Sequence, residues 1–89
     1  MTNEMFIEKA KLLVEAYTEE HLDKTDAIPT FNVFVVWSCF ILGNQKALLS
    51  TTISDGMYYE VTYNKAKNEI YFDAYKKFEN KCVEVADRA

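Results

Sequence analysis

The stretch FNVFVVWSCFIL, residues 31–42, decides the fold of this chain. Its Val, Phe, Trp and Ile content is typical of a β-strand, and every odd position is apolar. The even positions include Phe34, Val36 and Phe40, although a strand in a sheet with one solvated face carries mainly polar residues on that face. We therefore predict a strand that is covered on both of its faces.

Three further strands are predicted after this one. Each follows a turn signal: Gly43-Asn44 before the second, residues 54–56 (Ser-Asp-Gly) before the third, and the polar residues 64–68 before the fourth. Consecutive strands joined by short turns pair antiparallel, so the pattern predicts a four-stranded antiparallel β-meander. The three predicted strands cover residues 45–53, 57–64 and 69–73.

Amphipathic helices are predicted at both ends of the chain. Within residues 3–21, apolar side chains recur at steps of four, three and four from Phe6, which is the spacing of one helix face. Residues 75–86 repeat this spacing without a Gly or Pro and predict a second helix. In the alternative interpretation the fourth strand continues past Ala74. The apolar positions of the C-terminal pattern are Tyr75, Phe78, Cys82 and Val85.

These segments predict a single α+β domain over residues 1–89, in the order α-β-β-β-β-α, with a connector at residues 21–30. The length suits one hydrophobic core. We expect both helices on the odd face of the sheet. That face would hold Val33, Val35, Trp37, Leu49, Ile53, Tyr59 and Val61.

Composition excludes several classes of partner. The net charge of −4 argues against nucleic-acid binding, because neutralising phosphates requires clustered Lys and Arg. The N-terminus has no secretion-signal pattern, and no apolar run approaches the ~18 residues that span a membrane. We therefore expect a cytoplasmic protein without a membrane partner. Cys39 and Cys82 lie in apolar stretches and are predicted as reduced core residues.

The sequence contains no pattern that carries known catalytic or cofactor chemistry. His21 is the only histidine and has no partner at metal-ligand spacing, and Gly43 and Gly56 are too few for a phosphate-binding loop. No serine has the setting of a nucleophile elbow. We accordingly predict a protein that is not an enzyme, with no catalytic, metal-binding or cofactor-binding residues and no cofactor.

Aromatic residues on the predicted even face indicate a surface for protein recognition, since they provide a large, rigid contact area. The simpler interpretation is that β-sheets favour Tyr. An exposed apolar patch of this kind is best buried in a symmetric homodimer. The predicted interaction surface consists of Phe34, Val36, Phe40, Tyr58, Glu60 and Tyr71.

Four segments resemble a family of small phage and prophage proteins of Gram-positive bacteria, which is a domain of unknown function. They are residues 35–39 (VVWSC), 44–52 (NQKALLSTT), 55–64 (DGMYYEVTYN) and 68–77 (NEIYFDAYKK). The resemblance extends from the first strand to the last predicted helix. It implies a bacteriophage accessory protein acting in the bacterial host cell, and it brings no catalytic or binding residues.

Two functions are consistent with these observations. The first is a non-enzymatic phage or prophage accessory protein that acts through protein–protein interaction, as a homodimer or with a host or phage protein, to modulate a host process. The alternative is a small-ligand-binding protein or an enzyme of unfamiliar type, with a site between sheet and helices. That site would lie near Trp37, Tyr59, Tyr63 and Asp73.

Overall fold

The computed structural model describes residues 1–22 and 30–86 and places one helix against one sheet. The order β1-β2-β3-β4 and the antiparallel pairing of all neighbours confirm the predicted meander, the N-terminal helix and the α+β class. Most of the predicted connector, at residues 23–29, lies outside the described residues. The elements are α1 (Asn3–His21), β1 (Val33–Ile41), β2 (Asn44–Thr51), β3 (Met57–Asn64) and β4 (Glu69–Lys76).

Helix α1 begins at a side-chain cap and buries one narrow stripe. The hydroxyl of Thr2 accepts a hydrogen bond from the Met5 amide at 3.1 Å, and Glu4 lies in the first turn, where the helix dipole favours negative charge. Residues at a constant step of four lie on one side of a helix, and this stripe faces the sheet. The buried side chains of α1 are Phe6, Ala10, Val14 and Thr18.

The core lies between α1 and the two central strands. Alternate residues of β2 and β3 point toward the helix, as the two-residue period of a strand requires. Tyr59 is the largest fully buried side chain, and its ring lies 5.5 Å from that of Tyr17 on α1 and 5.7 Å from that of Phe72 on β4. The core residues are Phe6, Ala10, Val14, Ala47, Leu49, Tyr59, Val61 and Tyr63.

The turn between β1 and β2 lies one residue earlier than predicted. Leu42 and Gly43 both have positive φ angles, 51° and 79°, and Asn44 is already the first residue of β2. Two consecutive left-handed residues are the mark of a type I′ hairpin turn. Leucine is an unusual residue there, because its Cβ crowds the backbone in this conformation.

The C-terminal helix predicted over residues 75–86 is absent from the single chain that the structure describes. Tyr75 pairs with Tyr58 and Lys76 with Met57, so both belong to β4, and residues 77–86 have no regular secondary structure. The strand ladder holds Tyr75 in extended geometry, which removes the first turn of the predicted helix. The residues that remain are too few for a stable isolated helix, because fewer than ~12–15 residues are marginal in water. The alternative, in which β4 continues past Ala74, is the one observed.

The first prediction concerns the core. Replacing Leu49, which is fully buried, with Ala should lower the free energy of unfolding by about 2–4 kcal/mol through lost burial and the cavity left behind. Urea denaturation measures this value. The matched control is Leu12→Ala on the exposed side of α1, for which a change below about 0.5 kcal/mol is expected. Equal losses in the two variants would contradict the core described here.

The second prediction concerns the β1–β2 turn. Leu42→Asn should raise the free energy of unfolding by about 0.5–1 kcal/mol, because Asn tolerates the left-handed conformation better than Leu does. Leu42→Ala is the control, since it removes the same exposed side chain but keeps the strain. A gain of the same size in the Ala variant would mean that the φ angle is not the cause.

Candidate functional site

The face of the sheet opposite α1, which we call the open face, carries several exposed aromatic residues. The molecule is 18 Å deep in its shortest dimension, which accommodates one helix layer on one sheet. Cross-strand partners share a face, so the register assigns residues to it. The open face holds Phe34, Trp37, Cys39 and Ile41 of β1, Lys46, Leu48 and Ser50 of β2, Tyr58, Glu60 and Thr62 of β3, and Tyr71, Asp73 and Tyr75 of β4.

A β-bulge in β1 determines which residues reach this face. Val35 pairs with Leu49, but Trp37 pairs with Leu48, so Val36 is an extra residue in β1. Such an insertion exchanges the two faces for the rest of the strand, because successive side chains alternate. Trp37 therefore lies on the open face with Leu48, away from the helix.

The structure brings four of the six predicted interaction residues together. Phe34, Tyr58, Glu60 and Tyr71 share the open face, where Phe34 is 45% and Tyr71 is 44% exposed. Val36, the bulge residue, is also 45% exposed. The placement of these residues follows the alternation predicted from the sequence.

Phe40 was predicted on the same surface, and that placement is wrong. It pairs with Gln45, which is on the α1 side of the sheet, and it lines a small cleft with Met1 and Tyr63. The bulge is the physical reason, because it reverses the faces of every β1 residue after Val36. The open face therefore does not include Phe40.

Sequence alternation missed four apolar or aromatic residues of the open face. Trp37 and Ile41 were assigned to the helix side, and the bulge places them on the open face instead. No Gly or other local signal in the sequence marks the bulge. Tyr75 was assigned to a helix, and only its pairing with β3 reveals its position. The missed residues are Trp37, Cys39, Ile41 and Tyr75, whereas alternation did place Leu48 on this face, although the predicted interaction surface did not include it.

Both cysteines differ from their prediction in burial. Cys39 and Cys82 are free, as expected of reduced thiols, but both are exposed and neither belongs to the core. The bulge turns Cys39 away from the helix side of the sheet. Cys82 lies in residues 77–86, which contribute nothing to the core.

Two polar contacts involve residues of the open face. Lys46 and Glu60 form a salt bridge at 3.1 Å on neighbouring central strands. The Tyr71 hydroxyl donates a hydrogen bond to Glu69, which raises the pKa of Tyr71 because ionisation would place two negative charges together. The open face therefore carries the charged side chains of Lys46, Glu60 and Asp73 among its aromatic residues.

The residues of the alternative ligand site do not converge. Tyr59 and Tyr63 lie on the α1 side of the sheet, whereas Trp37 and Asp73 lie on the open face. A cleft of about 270 Å³ does lie beside Tyr59. This volume is just below the ~300–1,000 Å³ of typical ligand sites. Small-ligand binding stays a prediction. The cleft is lined by Tyr17, Thr18, His21, Leu22, Asp55, Met57, Tyr59 and Lys76.

The segment after β4, residues 77–86, is the C-terminal arm. Its first amide, on Lys77, donates a hydrogen bond to the Gly56 carbonyl at 2.7 Å and so continues the edge of β4 by one residue. Beyond it the apolar side chains are exposed: Phe78 by 93%, Val83 by 68% and Val85 by 88%. The arm therefore carries apolar residues that have no cover.

Two classes of site were also sought within residues 1–22 and 30–86. No group of three or more His, Cys, Asp or Glu side chains in that part of the chain is arranged to hold a metal ion. Helix α1 lacks the apolar run with which a helix crosses a bilayer, and the described residues form no other helix.

A family of unknown function matches residues 7–85. The chain belongs to this family, DUF6275. The match includes most of α1, all four strands and nearly the whole C-terminal arm. No curated protein and no solved structure matches the chain. Membership in DUF6275 assigns no activity to the chain.

The third prediction concerns Tyr59 beside the cleft. Burial is the main cause that raises the pKa of Tyr59 above its ordinary value, and the nearby Asp55 carboxylate raises it further, against an opposing effect of the nearby Thr18 hydroxyl. The unfolded chain ionises this group near pH ~10 while the folded protein still holds the proton. The contribution of Tyr59 to stability is therefore complete below pH ~10 and is lost as pH rises toward the folded pKa.

Urea denaturation between pH 8 and 11.5 tests this prediction in the wild type and in Tyr59→Phe. The free energy of unfolding should fall more steeply above pH ~10 in the wild type, because Phe does not titrate. Identical pH dependence in the two proteins would contradict a raised pKa at this position.

Proposed function

We propose that this DUF6275 domain is a non-enzymatic protein-binding module that associates as a homodimer through the open face. The observation that carries the proposal is the exposure of large apolar side chains on one face of the sheet. A sheet face with several large exposed apolar side chains is of the kind that marks a protein–protein contact. The exposed fractions are 45% for Phe34, 43% for Trp37, 51% for Ile41, 44% for Tyr71 and 51% for Tyr75.

The size of the open face supports a stable contact. Four strands about 4.8 Å apart and eight residues long at about 3.3 Å each define a surface of roughly 500 Å². Covering it in two copies removes roughly 1,000 Å² from water, which is the lower limit for a specific interface. The aromatic composition is also that of protein interfaces, in which Tyr, Trp and Phe are enriched.

Association through the face is favoured over pairing of sheet edges. The bulge at Val36 twists β1, one of the two edge strands, and disrupts the regular ladder that a second chain would extend. The other edge, β4, carries charged side chains at Glu69, Asp73 and Lys76. The bulge in β1 and the charged side chains of β4 both discourage edge-to-edge pairing, but neither covers the apolar residues of the open face.

The biological setting of the proposal comes from the sequence resemblance to phage and prophage proteins of Gram-positive bacteria. We propose an accessory role in the cytoplasm of the bacterial host, in which the domain binds a host or phage protein and modulates a host process. The acidic net charge of −4 is compatible with a protein partner and unfavourable for nucleic acid. The proposal uses no catalysis, cofactor or membrane contact.

The fourth prediction tests the homodimer with two variants of one strand. Phe34→Asp places a charge on the open face, whereas Phe40→Asp places the same charge on the other face, where Phe40 is 68% exposed. Analytical ultracentrifugation should find a dimer for the wild type and for Phe40→Asp, and a monomer for Phe34→Asp. The physical reason is that burying an unpaired carboxylate at an interface is costly.

Trp37 provides an independent signal, because it is the only tryptophan and lies on the open face. Its fluorescence emission should shift to longer wavelength when the wild type is diluted through the dimer dissociation constant, as water reaches the indole. A monomeric wild type at tens of micromolar, or dimers of equal strength in both Phe variants, would refute the proposed homodimer.

The Phe34→Asp and Phe40→Asp variants also test whether the open face binds a protein other than a second copy of this chain. A host or phage protein captured by wild-type and Phe40→Asp baits, but not by the Phe34→Asp bait, would bind through the open face. Capture that is equal with both variants would place the contact elsewhere and would contradict the proposed surface.

A further inference from the structure

Two uncovered apolar features coexist in this chain: the open face and the C-terminal arm. Phe78 and Val85 in the arm are 93% and 88% exposed, and Phe34 and Trp37 on the open face are 45% and 43% exposed. Each feature needs an apolar partner to leave water. The arm is therefore a candidate to cover the open face, and its sequence indicates how.

The arm has the apolar spacing of a helix. Phe78, Cys82 and Val85 are separated by four and three residues and so lie on one side of a helix, whereas Val83 lies on the opposite side. A helix of ten residues is ~15 Å long. This length fits across a sheet of four strands spaced ~4.8 Å apart.

The shortness of the arm explains why it has no regular secondary structure in the single chain. A helix this short is marginal in water unless its apolar side packs on another surface. Segments of this kind order when they bind, at the cost of their conformational freedom. The arm therefore needs a surface on which to pack before it can form the helix that its sequence pattern predicts.

The arm begins in line with β4. The hydrogen bond from Lys77 to Gly56 continues the pairing of β4 with β3 by one residue beyond the last strand residue. To return over its own open face, the chain would have to reverse within the arm, where Asn80 is the only residue of a type that favours tight turns. Exchange of identical elements between two copies satisfies both surfaces without a reversal.

The family match includes most of the C-terminal arm. The DUF6275 match continues through residue 85 and so includes all three residues of the apolar side of the arm, Phe78, Cys82 and Val85. The arm up to residue 85 therefore lies within the part of the chain that the family match covers.

We infer that the arm of each copy folds into a helix on the open face of the other copy, with Phe78, Cys82 and Val85 against the sheet. This inference rests on the proposed homodimer and names the element that covers its surface. Each copy then supplies both an open face and the helix that buries its partner's open face, so the contact is reciprocal and closes at two chains.

The experiment compares two substitutions only two residues apart, and it is the fifth prediction. Val85→Asp places a charge on the packed side of the helix, and Val83→Asp places the same charge on its solvated side. Sedimentation of the full chain should show that Val85→Asp raises the dimer dissociation constant about tenfold or more, while Val83→Asp leaves it within about twofold. Both positions are exposed in the single chain, so both variants should fold.

Far-UV circular dichroism supplies a second measurement. Helix content should rise with protein concentration in the wild type and in Val83→Asp, in step with the dimer fraction, and should stay constant in Val85→Asp. A dimer that both substitutions disrupt equally would overturn the helix, because Val83 and Val85 share a face only in an extended strand. A monomer that already contains the extra helix would overturn exchange between copies.

The Phe34→Asp variant separates this inference from the homodimer itself. If Phe34→Asp is monomeric while Val85→Asp remains a full dimer, the open face is the interface and the arm does not cover it, so the inference fails alone. If Phe34→Asp remains a dimer, the proposed homodimer fails as well. Loss of the dimer in Phe34→Asp and Val85→Asp, with Val83→Asp intact, supports both.

Discussion

One extra residue in β1 determines which side chains each face of the sheet presents. The pairing of Val35 with Leu49 and of Trp37 with Leu48 leaves Val36 unmatched, and every later residue of β1 changes sides. Without the bulge, Trp37 would point toward α1. With it, the open face gains an indole, and the edge of the sheet loses the regular ladder on which another chain could pair.

Within residues 1–22 and 30–86, helix α1 covers one face of the sheet and the other face is open. Helix α1 buries the central strands through a single stripe that includes Phe6, Ala10 and Val14, and Tyr59 fills the space beneath the helix. The helix side of the sheet is therefore packed like the core of an ordinary α+β domain. The opposite side keeps its aromatic residues near the surface, which leaves the described architecture one layer short of a fully covered sheet.

The open face and the C-terminal arm both expose apolar side chains to solvent. A short amphipathic segment gains helical structure only when a surface receives its apolar side. A sheet with one bare face offers such a surface. In the proposed dimer, the arm of each copy packs on the open face of the other copy. The spacing of Phe78, Cys82 and Val85 then places all three side chains against that face.

The sequence by itself determined the N-terminal helix, the four strands and their antiparallel order, because local periodicity and turn residues specify these elements. It also placed Phe34, Tyr58, Glu60 and Tyr71 on one surface, since each lies where simple alternation holds. Only the tertiary structure decided the sides of Trp37 and Phe40, the exposure of both cysteines and the end of β4. The physical reason is that pairing between strands sets the bulge and the strand ends, and no local signal in the sequence encodes that pairing.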